Sequence, residues 1–147
     1  MTCSLTYFCP NFMKWILDFM VRKNVSSGSP MEDPIGFSRA SRIGNLIAVA
    51  GTAPIEADGY TACPGDVYGQ AYCCLEIIHK AIKDAGGKLD DVIRTRIMLT
   101  DIASWEEAAK AHGEFFSNIR PACTFVEVSR FIKEDWLVEI EAARVVS

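Results

Sequence analysis

The sequence predicts an α+β fold, in which a mixed β-sheet carries two helices on one face. Three observations predict it. Apolar residues recur at helical spacing in two segments, and each of these is followed by a segment with strand-like alternation. A buried strand precedes the first helix, and two strands close the chain. Helices interleaved with strands in this order are expected to cover one face of a single sheet.

Length and composition favour one globular domain. The chain has 147 residues, of which 50% are hydrophobic and 23% are charged, and this is enough to bury a core. The net charge is −4, and the lysines and arginines are scattered rather than clustered. We therefore expect no nucleic-acid partner.

The six cysteines predict neither a metal site nor a disulfide framework. They form no C-x-x-C pair, and the two histidines, His79 and His112, lie far apart in the sequence. This pattern suits a reducing compartment, so we expect a cytoplasmic protein.

The chain is expected to divide near residue 20. Residues 1–20 are predicted to form a loosely ordered or docked extension. Residues 21–147 form a single domain that starts with the linker-like segment Ser26–Pro30. The apolar run Phe12–Met20 is interrupted by charges and is too short to span a bilayer. A membrane-surface anchor is the alternative, but basic flanks are missing, so no membrane partner is expected.

The first half of the domain contains one clear strand and one long helix. The strand covers Asn45–Gly51 and follows a turn at Gly44. The helix runs from Val67 to Ala85, with Asp66 as its N-cap and Gly86 at its end.

The second half contains strand, helix, strand and strand. In the strand Val92–Thr100, alternation places Ile93, Thr95, Ile97 and Leu99 on one face. The second helix starts at Ser104, which is predicted to form a capping box with Glu107. The closing strands cover Thr124–Ser129 and Leu137–Val146.

The sheet face away from the helices is predicted to carry charges among apolar residues. Its members are Arg94, Arg96, Glu127, Glu139, Glu141, Met98, Phe125 and Leu137. Such a mixture suits a polar subunit interface in which opposite charges pair. We therefore expect the sheet to pack against copies of itself in a closed oligomer. A solvated sheet face is the alternative.

Four segments resemble the reactive intermediate deaminase (Rid, or YjgF) family in order and spacing. They are IGFSRASRIGNLIAVAGTAP at 35–54, the helix start GDVYGQAYCCLEII, the strand and turn VIRTRIMLTDI, and RPACTFVEVSR with LVEIEAARV near the end. The resemblance covers residues 21–147. It implies a chorismate-mutase-like fold and a homotrimer, whose sheets pack inward as a barrel and leave three clefts between subunits.

Active members of this family hydrolyse imines and enamines released by pyridoxal-phosphate enzymes, and the resemblance implies that chemistry without a cofactor. In those members the third residue of a Pro-Ala-Arg motif holds the substrate carboxylate, because the planar guanidinium matches it. Cys123 holds that position here, so the chain resembles a divergent member without this arginine. Phe37 stands where the family has an aromatic hydroxyl, which removes one hydrogen-bond donor.

The resemblance leaves Glu139 as the candidate catalytic residue, because the matching glutamate orients or activates water. Arg39 is a candidate replacement for the missing carboxylate-binding arginine. The other residues expected to line the same cleft are Phe37, Gly51, Thr52, Cys123 and Thr124.

Three alternatives stay open. Cys123 is either a passive pocket-lining thiol or a reactive one, and no base such as His112 is expected beside it. Glu139 either activates water or pairs with an arginine such as Arg94 or Arg96 across the subunit interface. The protein is either a hydrolase of reactive imines, enamines or related carbonyl compounds, or a non-catalytic trimer that binds a small molecule in a regulatory or chaperone-like role.

Overall fold

A computed structural model describes residues 20–146, so the predicted N-terminal extension lies almost wholly outside the described part of the chain. In chain order the elements are β1 (Lys23–Val25), α1 (Glu32–Ile35), β2 (Ala40–Ile43), β3 (Leu46–Thr52), α2 (Val67–Asp84), β4 (Val92–Leu99), α3 (Trp105–Phe116), β5 (Ala122–Glu127) and β6 (Val138–Val145). Short 3₁₀ turns at Leu89–Asp91 and Ile102–Ser104 precede β4 and α3. Within this range no helix is both long and apolar enough to cross a membrane.

The predicted mixed sheet is confirmed. All six strands join in the order β1-β2-β3-β6-β4-β5. The pair β4 and β5 is parallel, and every other neighbouring pair is antiparallel. The strands β2 and β3 form a hairpin around the predicted Gly44 turn, where a φ of 60° favours glycine. The sequence did not reveal β1, β2 and α1, which have only three or four residues each.

The two long helices pack on the same face of the sheet, as predicted. The core between them and the sheet contains side chains of α2, α3, β3, β4 and β6 that are almost fully buried. Among them are Ile47, Leu75, Ile78, Ile82, Ile97, Leu99, Ala108, Phe116, Val138 and Ile140. We call the opposite surface of the sheet the open face, because no described helix covers it.

The predicted ends of α2 are confirmed, whereas the capping box predicted at Ser104, before α3, is wrong. The Asp66 side chain accepts a hydrogen bond from the Gly69 N–H at 3.0 Å, and Gly86 ends the helix with a φ of 82°. Ser104 precedes α3 without capping it, and its hydroxyl donates instead to the Asp101 carbonyl at 2.7 Å. The 3₁₀ turn before the helix brings that carbonyl within reach, so the capping box does not form.

Two residues assigned to the open face lie on the helix side instead. The parallel register places Phe125 beside Ile97 and Glu127 beside Leu99, and both of these β4 residues are buried under the helices. Glu127 accepts a hydrogen bond from the Ile102 N–H at 3.0 Å, next to α3. The β5 residues on the open face are therefore Ala122, Thr124 and Val126.

The predicted inward position of Ile93 is also wrong. The pairing of β4 with β6 shifts register between Val92 and Arg94, so Ile93 is an extra residue in the strand and is 52% exposed. A bulge of this kind restarts the alternation one residue later. Thr95, Ile97 and Leu99 consequently face the helices as predicted.

Replacement of Gly87 by alanine is expected to destabilise the fold by about 2 kcal/mol, because the new methyl group would overlap the guanidinium of Arg144. Arg144 is fully buried and pairs with Asp91 at 2.5 Å, so it has little freedom to move. The control is Gly113→Ala in α3, where nothing lies within 4 Å of the new methyl group. That change should stabilise the protein by about 0.5–1 kcal/mol. Urea unfolding measures both, and a Gly87→Ala variant as stable as the parent would contradict the expectation.

Candidate functional site

Glu139 lies on the open face, as predicted from alternation in the last strand. Its neighbours along β6, Val138 and Ile140, are fully buried under the helices, whereas Glu139 itself is half-buried. Across the sheet it lies opposite Met98 of β4. The strand therefore fixes the backbone of Glu139 and leaves its carboxyl group at the surface of the open face.

A second strand approaches this carboxyl group through a bulge at Gly51. The pairing of β3 with β6 shifts register between Val49 and Thr52. A side chain at Gly51 would meet the Glu139 Oε2 atom at 3.1 Å, tighter than ordinary van der Waals contact. Glycine at this position thus lets the β3 backbone come close to the carboxylate.

Arg39 joins the same group of residues. Its Nη1 donates to the Gly51 carbonyl at 2.8 Å and to the Thr52 hydroxyl oxygen at 3.0 Å. The Thr52 hydroxyl in turn donates to the Ala50 carbonyl at 2.8 Å. Within one chain the structure therefore brings together four predicted site residues, Arg39, Gly51, Thr52 and Glu139.

The electrostatics of this group are dominated by partial burial. Loss of hydration raises the pKa of Glu139, and the nearby Arg39 guanidinium opposes the rise without cancelling it. Burial also lowers the pKa of Arg39, although arginine stays charged in proteins. Arg39 is thus the cation that acts on the pKa of Glu139, while Arg96 pairs with Glu141 at 3.3 Å. Among the described residues of one chain Glu139 forms no ion pair with Arg94 or Arg96, and the predicted alternative, such a pair across a subunit interface, stays a prediction.

Glu32 supplies a further negative charge near Arg39 and is itself held by the linker-like segment. The Ser26 hydroxyl donates to one of its carboxylate oxygens at 2.5 Å. The Ser27 N–H and hydroxyl both donate to the other at 2.6 Å. These hydrogen bonds hold the pKa of Glu32 below its usual value. The segment Ser26–Pro30 therefore anchors a buried carboxylate, a role that its linker-like composition did not suggest.

An open cavity of about 670 Å³ lies in front of Glu139. The other residues that line it come from the loop between β5 and β6, and they are Arg130, Phe131, Ile132 and Glu134. Sequence reasoning did not single out Arg130 or Glu134. The available signal was an arginine at the end of the segment that carries Cys123, followed by an apolar pair and, two positions later, a glutamate.

Phe37 lies in a different depression. It lines an open cavity of about 390 Å³ together with Arg22, Asp33 and Ser41, among others. Within one chain Phe37 and Glu139 therefore line different cavities.

Cys123 and Thr124 lie on the edge strand β5, and both are exposed. The register places Thr124 beside Arg96 on the open face and Cys123 beside Thr95 on the helix side. Cys123 and Glu139 thus belong to opposite faces of the sheet in one chain. A site that contains both would have to combine residues of two chains.

His112 of α3 contacts the strand that pairs with β5. His112 of α3 is within hydrogen-bond distance of the hydroxyl of Thr95, at 2.9 Å, and Thr95 is the cross-strand neighbour of Cys123. Burial lowers the pKa of His112, which favours the neutral imidazole. Thr95 thus separates His112 from Cys123 in this arrangement, and the expectation that no base lies beside Cys123 stays a prediction.

Within residues 20–146 no group of three side chains is placed to bind a metal ion. The described site is charged. It contains the guanidinium of Arg39, the carboxylates of Glu32 and Glu139, and the β3 backbone at Gly51, on a sheet whose two long helices lie on one face.

The fold and the group of residues around Glu139 are typical of one class of proteins, and a comparison of this chain with known protein families identifies that class. The family model described as Endoribonuclease L-PSP matches residues 31–146. The chain belongs to this family, also called the YjgF or Rid family.

Individual relatives agree with this assignment. A RutC family protein of Pyrococcus abyssi is 36% identical over 110 residues, which cover 74% of this chain and 86% of the relative. Among solved structures, Rv2704 of Mycobacterium tuberculosis, a YjgF/YER057c/UK114 family member, is similar with a TM-score of 0.77 and 44% identity. That match covers 86% of this chain and 100% of Rv2704. TdcF of E. coli with bound serine has a TM-score of 0.70 and 25% identity, with 84% of this chain and 94% of TdcF covered.

Thiol labelling should separate the four cysteines that the structure describes. Cys63 and Cys123 are exposed, whereas Cys74 is fully buried and burial raises the pKa of Cys73 to about 11. A maleimide reagent at pH 7.5 should therefore label Cys63 and Cys123 much faster than Cys73 and Cys74, because the thiolate is the reacting species. Peptide mass mapping over time measures each site. Equal rates at Cys123 and Cys74 would contradict the burial pattern.

Proposed function

We propose that this protein is a homotrimer that binds a small carboxylate-bearing metabolite in clefts between its subunits and hydrolyses reactive imines or enamines there without a cofactor. The observation that carries this proposal is the position of Glu139. Its carboxyl group has a raised pKa and lies beside the Arg39 guanidinium at an open cavity. A carboxylate with a raised pKa is a stronger base, which suits activation of water near neutral pH.

In the proposed reaction the Glu139 carboxylate takes a proton from water while the water oxygen forms a bond to the imine carbon. The Glu139 carboxyl group then passes this proton to the imine nitrogen as the C=N double bond opens, which gives a carbinolamine. Glu139 next takes the hydroxyl proton of the carbinolamine and delivers it to the amino nitrogen while the C–N bond breaks, so that ammonia leaves and the carbonyl compound forms. The sum is one imine and one water converted into one carbonyl compound and one ammonia, so no oxidant or reductant is needed.

The trimer is supported by the composition of the open face. It carries half-buried Met98 and Val126 beside the charged pair Arg96 and Glu141, which is unusual for a surface that only meets water. Cys123 and Glu139 lie on opposite faces of one chain, so a cleft between two chains is also the arrangement that would bring their positions together.

The serine bound to TdcF supports a small amino acid, or a compound of that size, as the kind of ligand. The activity in the family model's description, an endoribonuclease, has less support from this chain. Its net charge is −4, and its open face alternates arginines with glutamates rather than forming a basic stripe.

The second candidate is a trimer that binds such a ligand without catalysis. The observation that favours it is Pro121-Ala122-Cys123, in which a thiol stands where active relatives have a carboxylate-binding arginine. A thiol cannot form a charge-assisted pair of hydrogen bonds.

Glu139→Gln is expected to reduce imine hydrolysis by about 100-fold or more, since general-base catalysis contributes on that order. The assay couples an amino-acid oxidase, which generates imines, to detection of the carbonyl product and ammonia. Because the pKa of Glu139 is raised, the acidic limb of kcat/KM should lie above pH 4.5. Glu141→Gln is the matched control on the same strand and face, and it should keep most of the activity. No acceleration by the parent protein across several imines would favour the non-catalytic trimer.

The assembly is expected to sediment at three times the mass of one chain. Met98→Glu should dissociate it, because a further carboxylate would be buried beside Glu139 and Glu141. Ile102→Glu, at an exposed position in the 3₁₀ turn before α3, is the control and should leave the assembly intact. Sedimentation velocity measures all three proteins, and a monomer for the parent would refute the proposed clefts.

A further inference from the structure

The cavity in front of Glu139 contains one cation and two carboxylates. Arg130 and Glu134 lie in the loop between β5 and β6, and Glu139 belongs to β6. Phe131 and Ile132 supply apolar surface between the charges. The cavity thus offers a positive group to a carboxylate and negative groups to a protonated nitrogen.

The loop that carries these residues is held in place by several contacts. The Lys133 ammonium donates to the Gly59 carbonyl at 3.2 Å. The Gln70 side chain of α2 donates to the Asp135 carbonyl and accepts from the Leu137 N–H, both at 2.8 Å. Trp136 is buried. Because the loop is tied to the α2 layer and to the Gly59 turn, its position in front of Glu139 is defined by the fold.

Arg39 is poorly suited to hold a ligand carboxylate, although it lies near Glu139. Its Nη1 already donates to two acceptors, and its Nε is buried without a hydrogen-bond partner among residues 20–146. With Nη1 engaged and Nε buried, Arg39 cannot present the pair of accessible, parallel N–H groups that a carboxylate prefers.

Arg130 has the opposite character. It is exposed, and within the described part of the chain its guanidinium forms no ion pair with Glu134 or Glu139. No hydrogen bond or ion pair to another residue of the range 20–146 engages its five N–H donors, whose planar arrangement matches a carboxylate. Its position on the loop also lies in the same cavity as the proposed general base.

We infer that Arg130 binds the carboxylate of the ligand in this cavity and so takes over the task of the arginine that Cys123 replaces. The ligand class is a small carboxylate with an amino or imino nitrogen, whose positive end is directed to Glu134 and Glu139. This inference rests on the proposed function for the identity of the ligand. It assigns a binding residue seven positions after Cys123 along the chain.

The test compares L-serine with L-serinamide, which has the same side chain and amino group but no carboxylate. Calorimetry measures the Kd of each for the parent protein and for Arg130→Met, Arg130→Lys and Lys88→Met. Lys88 is an exposed cation before β4, at the opposite end of the sheet from the cavity. The parent should bind serine more tightly than serinamide.

Arg130→Met should weaken serine binding by about 10- to 100-fold and leave serinamide binding unchanged, because a charge-assisted pair of hydrogen bonds is lost. Arg130→Lys should give an intermediate affinity, since it keeps the charge and loses the planar fork. Lys88→Met should match the parent. In the imine assay, Arg130→Met should raise KM more than it lowers kcat.

The outcomes distinguish this inference from the proposed function. If the parent binds serine or hydrolyses imines and Arg130→Met behaves like Lys88→Met, the role of Arg130 is refuted and the proposed function stands. If the parent binds no carboxylate and hydrolyses no imine, both are refuted. Equal loss of serine and serinamide binding in Arg130→Met would indicate a disturbed loop and would also refute carboxylate binding by Arg130. Thermal unfolding checks that each variant is folded.

Discussion

The packing of α2 and α3 on one face of the sheet is the constraint on which the rest of the molecule depends. Burial of the apolar residues of β3, β4 and β6 under these helices fixes which side chains of every strand turn away from them. Glu139, Glu141 and Arg96 reach the open face because their neighbours Val138, Ile140 and Ile97 are needed in the core. The charged surface is therefore a direct consequence of the hydrophobic core.

Charge placement near Glu139 then follows from backbone geometry. A bulge at Gly51 brings the β3 backbone to the carboxylate, and Arg39 holds that bulge through a carbonyl and a hydroxyl. Arg39 in turn lies in the field of both Glu32 and Glu139. In this arrangement Arg39 stabilises the bulge and moderates the pKa of Glu139, which leaves recognition of a ligand to groups that are not already engaged.

The sheet register determines which face of the sheet Cys123 occupies. Cys123 lies on the helix side of an edge strand, next to Thr95, whose hydroxyl is within hydrogen-bond distance of His112. The cavity in front of Glu139 nevertheless carries a positive charge, because Arg130 of the following loop lines it.

The sequence by itself determined the fold class, the long helix with its Asp66 cap, the alternation in β6 that exposes Glu139, and membership of the family. These features depend on local periodicity and on short motifs, which neighbouring residues specify. Only the tertiary structure decided the faces of Phe125 and Glu127, the exposure of Ile93, and the groups around Arg39 and Arg130. Strand register, bulges and loop positions depend on contacts between residues far apart in the chain, and local patterns do not encode these contacts.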